Sequence, residues 1–113
     1  MKLAGFLVML LLTFPVLANQ AGVFRPDQVP VFDVRSAEEY RAGHVREAVH
    51  IPYEQLAHRI TAIVPNRDTH IVLYCRSGRR AEIAEQALRR LGYSRIENKG
   101  GLEDMRRAGY AIE

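Results

Sequence analysis

Short apolar runs alternate with amphipathic helical patterns along most of this chain. Apolar runs predict strands at residues 31–34, 49–51 and 70–74, the last of them rich in β-branched residues, and a final strand is predicted at residues 95–98. Helical periodicity predicts helices between and after them, at residues 37–41, 53–64, 79–91 and 102–107. Strand–helix alternation of this kind indicates βαβ units, and hence an α/β fold with a mainly parallel sheet covered by helices on both faces.

Single residues support these boundaries. Ser36 can cap the first helix, and Glu39 lies in its first turn, where the helix dipole favours an acid. Glu85 and Arg89 are spaced to pair on the outside of the long helix. The stripe that this helix is predicted to bury consists of Ile83, Ala84, Ala87, Leu88 and Leu91.

The first residues differ from the rest of the chain. After Lys2, an almost wholly apolar run from Leu3 to Leu12 is broken at Pro15 and followed by small residues up to Ala18. This layout predicts a secretory signal peptide at residues 1–18, and therefore one exported domain at 19–113, periplasmic in a bacterium. The run is shorter than the roughly 20 residues of a membrane-spanning helix. We therefore expect no stable membrane association after cleavage, with an uncleaved anchor as the alternative.

Composition narrows the function classes. A chain of 113 residues with 48% hydrophobic residues fits a single globular domain. The net charge of +3 is small, and the densest basic run surrounds the cysteine instead of forming a basic stripe with aromatic platforms. Nucleic acid is therefore not an expected partner.

Cys75 is the sole cysteine, so it cannot form an internal disulfide. A zinc site is also not expected, because no second cysteine exists and the four histidines lack ligand spacing. Three interpretations remain: a buried inert thiol, an intermolecular disulfide, or a reactive thiol.

The residues around Cys75 favour the reactive thiol. Between the predicted strand ending at Tyr74 and the helix starting near Arg79 lies a tight loop, in which Gly78 allows the backbone to bend. Such a loop directs backbone N–H groups inward, and the helix adds its positive end. A free thiol is only about 3% ionised at pH 7. We expect this loop to favour the thiolate by electrostatics, without a histidine base.

A small anion with an electrophilic sulfur, such as thiosulfate, suits this site. The thiolate would take the outer sulfur as a persulfide, and a second nucleophile would then remove it. Among the arginines, Arg80 is the first candidate for holding the substrate oxyanion, and Arg76 or Arg79 for steering it. The alternative is that these arginines are simply the solvated start of a helix.

Several segments in order resemble the rhodanese family, especially its small exported single-domain thiosulfate sulfurtransferases. The segments are Asp33-Val34-Arg35, Glu39-Tyr40, Gly43-His44-Val45, Ala48 with Ile51-Pro52, Cys75-Arg76-Ser77-Gly78-Arg79-Arg80, Gly92-Tyr93 and Gly100-Gly101-Leu102. The sequence departs from the family pattern, in ways that affect the pocket wall and C-terminal packing, at Glu47, Met105 and Ala111.

The resemblance implies a five-stranded sheet, a persulfide on Cys75, and neither a metal nor an organic cofactor. It implies that the substrate is held by the loop, from Arg76, Ser77 and Gly78 to Arg79 and Arg80. It also implies structural roles for Asp33, Arg35 and His44. The expected partners are a small anionic sulfur donor and a thiol or cyanide-like acceptor.

Two other functions remain open at this point. The same fold supports phosphatases and arsenate reductases, but phosphatases of this type resemble Cys-x5-Arg, whereas Cys75 and Arg80 form Cys-x4-Arg. A non-catalytic sulfur carrier or partner-binding domain would keep the same loop residues.

Overall fold

The computed structural model describes residues 22–113, so the predicted signal peptide lies outside the described residues. The described part contains four strands and four helices in alternation. Their bounds are β1 Val31–Asp33, α1 Ala37–Ala42, β2 Val49–His50, α2 Tyr53–Ile63, β3 Ile71–Cys75, α3 Arg79–Arg90, β4 Ile96–Gly101 and α4 Leu102–Arg107. The predicted elements all form, with ends shifted by a few residues.

All four strands are parallel, in the order β2-β1-β3-β4. Phe32 of β1 lies between Val49 of β2 and Leu73 of β3. The expected fifth strand is wrong for residues 22–113. After β4 the chain turns at once into α4. The tail after α4 hydrogen-bonds to His44 and Arg46, but its pairing amounts to an isolated antiparallel bridge between Val45 and Ile112, not a strand of the sheet.

Helices cover both faces of the sheet, as predicted. On one face, α2 and α3 pack through a cluster that includes Leu56, Ile60, Ala84 and Leu88. On the other face, Met105 of α4 packs in a second cluster, together with Val31, Val45, Ala48, Val72 and Tyr74. Within residues 22–113 no helix is long and apolar enough to cross a membrane.

The predicted buried stripe of α3 is partly wrong. The helix buries Ala81, Ala84 and Leu88, whereas Ile83 is 43% exposed and Leu91 is 37% exposed. Ile83 lies about 100° of helix rotation from Ala84. The contact made through the small alanines is narrow, and it leaves this isoleucine at the edge of the packed face.

Candidate active site

Cys75 lies at the carboxyl end of β3, where ligands bind in open parallel sheets. The backbone N–H of Gly78 donates to the Cys75 Sγ at 3.0 Å. Cys75 is only 1% exposed, so its sulfur is almost fully buried. Gly78 has φ 96°, a left-handed conformation that disfavours a side chain. The turn therefore directs a main-chain donor at the sulfur just before α3 begins.

Two contacts from β4 hold this loop in place. Asn98 donates through Nδ2 to the Gly78 carbonyl at 2.8 Å, and its Oδ1 accepts from the Gly100 N–H at 2.9 Å. A methyl group on Gly101 would overlap the Arg76 carbonyl oxygen. In the sequence, Asn98 is distinguished only as a polar residue ahead of the Gly100-Gly101 pair, which does not indicate a contact with the loop.

The three arginines of the loop differ in their surroundings. Arg80 forms a two-pronged ion pair with Glu39, from Nη1 to Oε1 at 2.8 Å and from Nη2 to Oε2 at 2.9 Å. Hydrogen bonding by Arg80 lowers the pKa of Glu39 to about 2. Arg76 and Arg79 are exposed, and neither has a carboxylate partner within residues 22–113.

A buried polar cluster lies at the carboxyl end of β1, beside β3. Arg35 donates to Asp33 from Nε at 2.9 Å and from Nη2 at 2.6 Å, and also to the Gly43 carbonyl at 2.7 Å. The Tyr74 hydroxyl donates to Asp33 Oδ2 at 2.7 Å and accepts from the Val45 N–H at 3.0 Å. Burial raises the pKa of the Tyr74 hydroxyl. These bonds join β1, β3 and the segment after α1.

His44 has partners outside the loop. Its Nδ1 lies 2.8 Å from the Tyr40 carbonyl, its ring stacks on Tyr40 at 3.7 Å, and its Nε2 lies 3.7 Å from a Glu113 carboxylate oxygen. The structure thus brings the loop residues together around Cys75, and gives Asp33, Arg35 and His44 separate contacts.

A cleft of about 360 Å³ opens beside the loop. It is lined by Arg35, Glu39, Ala42, Arg76, Leu102 and Glu103. Within the described range, no three histidine, cysteine or acidic side chains are grouped so that they could hold a metal ion.

The sequence model of the rhodanese-like domain matches residues 19–108. The chain belongs to the rhodanese family. This rhodanese is 37% identical over 83 residues to thiosulfate sulfurtransferase PspE of Escherichia coli, with 68% of this chain and 80% of PspE covered.

Two further comparisons extend this result. The rhodanese is 35% identical over 83 residues to human thiosulfate:glutathione sulfurtransferase, with 63% of this chain and 72% of that protein covered. A solved structure, a rhodanese with anions from E. coli, has a TM-score of 0.70 and 32% identity, and covers 76% of this chain and 98% of its own. The names of these relatives support sulfur transfer as the general activity.

Proposed function

We propose that this rhodanese is a thiosulfate sulfurtransferase, in which Cys75 carries the transferred sulfur as a persulfide. The observation that supports this most directly is the Gly78 N–H, which donates to the Cys75 Sγ at 3.0 Å. A hydrogen bond to a charged group contributes about 1.5–3 kcal/mol. This donor contacts the sulfur atom that would react with thiosulfate.

The donor half-reaction uses the loop as a small anion site. The Cys75 thiolate attacks the outer sulfur of thiosulfate, the S–S bond of thiosulfate breaks, and sulfite leaves with the bonding electron pair. The first N–H groups of α3, at Arg79 and Arg80, have no partner inside the helix itself. These N–H groups and the positive helix end support binding of the persulfide anion.

The arginine side chains of the loop have different roles in binding the sulfur donor. Arg76 and Arg79 are exposed and attract the anionic donor towards the loop. Arg80 is fixed by Glu39, but each of its terminal nitrogens keeps a second N–H for the substrate oxyanion. The backbone of Ser77 and Gly78 shapes the anion-binding loop. Asp33, Arg35 and His44 have structural roles outside the loop.

Residues 1–18 are proposed to be a signal peptide that directs the domain at 19–113 out of the cytoplasm, to the periplasm in a bacterial cell. Expression of the full chain in a bacterium, followed by mass measurement of the exported fraction, tests this. The expected mass is that of a chain that begins at Asn19. A mass corresponding to the full-length chain, found in the membrane fraction, would support the uncleaved anchor instead.

The test of the activity is the mass of the protein after incubation with thiosulfate and removal of the excess. We expect the native protein to gain one sulfur atom and the Cys75→Ala variant to gain none. Turnover of an aryl phosphate without sulfur loading would favour the phosphatase alternative. Loading without release to cyanide or small thiols would favour the sulfur carrier.

A further inference from the structure

The cleft beside the loop is much larger than thiosulfate requires. Its volume of about 360 Å³ is in the range of sites for small organic ligands. The cleft is joined to the loop at two of its lining residues: Arg76 directly follows Cys75 in the chain, and Glu39 pairs with Arg80. A second substrate, larger than the sulfur donor, can therefore lie beside the loop.

Two of the four charged side chains in the cleft wall already have strong partners. Arg35 is held by Asp33 and by a backbone carbonyl, and Glu39 is held by Arg80. Their charges are largely satisfied within the protein, so they contribute little to the choice of ligand.

The other two charges are available to a ligand. Arg76 is exposed and has no carboxylate partner within the described part of the chain. Glu103 is 67% exposed, and its pairing with Arg106 at 3.3 Å is of the exposed kind that contributes little. The cleft thus presents one available cation and one weakly held anion.

The remaining wall of the cleft is aliphatic. Ala42, at the end of α1, and Leu102, at the start of α4, both line it. A ligand that uses the aliphatic wall and both charges has a short aliphatic body, a carboxylate for Arg76 and an ammonium group for Glu103.

We infer that this cleft binds the sulfur acceptor, and that the acceptor is a small zwitterionic thiol of the cysteine type. The inference rests on the proposed persulfide. The acceptor thiolate attacks the outer sulfur of the Cys75 persulfide, and a new S–S bond forms on the acceptor. The bond between Sγ and the outer sulfur breaks, Sγ keeps the electron pair as a thiolate, and the acceptor leaves as a persulfide. The transfer needs no external oxidant or reductant.

The test isolates this second half-reaction. Protein loaded with thiosulfate and freed of excess donor is mixed with cysteine, 3-mercaptopropionate, cysteamine or 2-mercaptoethanol at matched thiolate concentrations. Loss of the added sulfur is followed by mass. Cysteine carries both charged groups, 3-mercaptopropionate carries only the carboxylate, cysteamine carries only the ammonium group, and 2-mercaptoethanol carries neither. We expect half-saturation at about threefold to fivefold lower concentration for each charged group present.

Variants of Glu103 make the test specific to the cleft. Glu103→Gln should raise the half-saturating concentration of cysteine and cysteamine by about threefold to fivefold, without changing that of 3-mercaptopropionate. Glu103→Lys should reverse the preference, so that 3-mercaptopropionate becomes better than cysteamine. The matched control is Asp68→Asn, which makes the same charge change before the amino end of β3 and should alter none of these values.

The outcomes separate the two proposals. If the protein does not take up sulfur from thiosulfate, the proposed function fails, and this inference fails with it. If it loads normally but all four thiols show the same concentration dependence, or Glu103→Gln affects them equally, the acceptor site is wrong and the persulfide proposal stands.

Discussion

The two terminal nitrogens of Arg80 face the two carboxylate oxygens of Glu39, at 2.8 and 2.9 Å. This pair ties the first turn of α3, directly after the Cys75 loop, to α1. Glu39 also accepts from the Ser36 backbone N–H, while the Ser36 hydroxyl accepts from the Glu39 N–H, which forms a capping box. One carboxylate therefore holds both the start of α1 and an arginine of the loop.

Replacing Glu39 with Gln separates these two contacts. Glutamine can keep the capping box but loses the charge that fixes Arg80. We expect Glu39→Gln to lower the free energy of unfolding by about 1–2 kcal/mol and to slow sulfur loading from thiosulfate about fivefold to tenfold. Urea unfolding and the loading rate measure these effects. Ser36→Ala, which removes the capping hydroxyl and keeps the ion pair, should destabilise the fold without slowing loading; equal slowing in both variants would contradict this role.

The same ion pair has a defined pH dependence. The pKa of Glu39 falls from 4.5 to about 2 because Arg80 hydrogen-bonds its charged form. A carboxylate with a lowered folded-state pKa contributes stability above its unfolded pKa and loses it as pH falls through the folded value. The stability difference between the native protein and Glu39→Gln should therefore be constant above about pH 5, and should shrink between pH 4.5 and 2. A difference that shrinks near pH 7 would contradict it.

The buried Asp33 carboxylate is the centre of the polar cluster behind the loop. It accepts from Arg35 and from the Tyr74 hydroxyl, and it is fully buried. Asp33→Asn leaves the Arg35 charge buried without its partner, which costs about 3–5 kcal/mol. We expect urea unfolding to show a loss of this size. Asp68→Asn, the same change at an exposed position, should alter stability by less than about 0.5 kcal/mol.

Periodicity and turn residues were enough to predict the order of the elements. The β-branched run that becomes β3 is fully buried, and Ser36 caps α1 as expected. The fifth strand was wrong because it came from the family resemblance, not from an apolar run in this chain. The predicted burial of Ile83 was wrong because helical periodicity indicates which face of α3 packs on the core but not how wide that face is. In the structure α3 packs on the core through Ala81, Ala84 and Leu88, and this packed face does not extend to Ile83.

The site was predictable only where it is local. The residues from Cys75 to Arg80 are continuous, so a strand, a glycine and a helix start place them around the sulfur. The contacts that hold the loop are long-range: Glu39 is 41 residues from Arg80, and Asn98 is 20 residues from Gly78. Nothing in the local pattern of either segment indicates the other, so only the packed structure identifies these partners.

The contact between Gly101 and the loop leads to a fourth prediction. Because a methyl group at Gly101 would overlap the Arg76 carbonyl oxygen, Gly101→Ala must move the loop away from β4. We expect a loss of about 1–3 kcal/mol in stability and at least a tenfold slower sulfur loading. Gly109→Ala is the control: its φ of 99° makes alanine unfavourable for the backbone alone, since its added methyl meets open space. That variant should lose some stability and load sulfur at the native rate.

Asn98 provides the fifth prediction, since its side chain donates to the Gly78 carbonyl. Asn98→Asp keeps an oxygen for the Gly100 N–H but replaces the Nδ2 donor with a second oxygen, which repels the Gly78 carbonyl. The Gly78 carbonyl then loses its hydrogen-bond donor, next to the N–H that contacts Cys75, and a negative charge enters beside the proposed anion site. We expect the rate of sulfur loading to fall at least tenfold, with about 1–3 kcal/mol lost in stability. Asn66→Asp, which makes the same change in an exposed turn before β3, is the control. Native loading in Asn98→Asp would show that the Gly78 turn keeps its conformation without this bond.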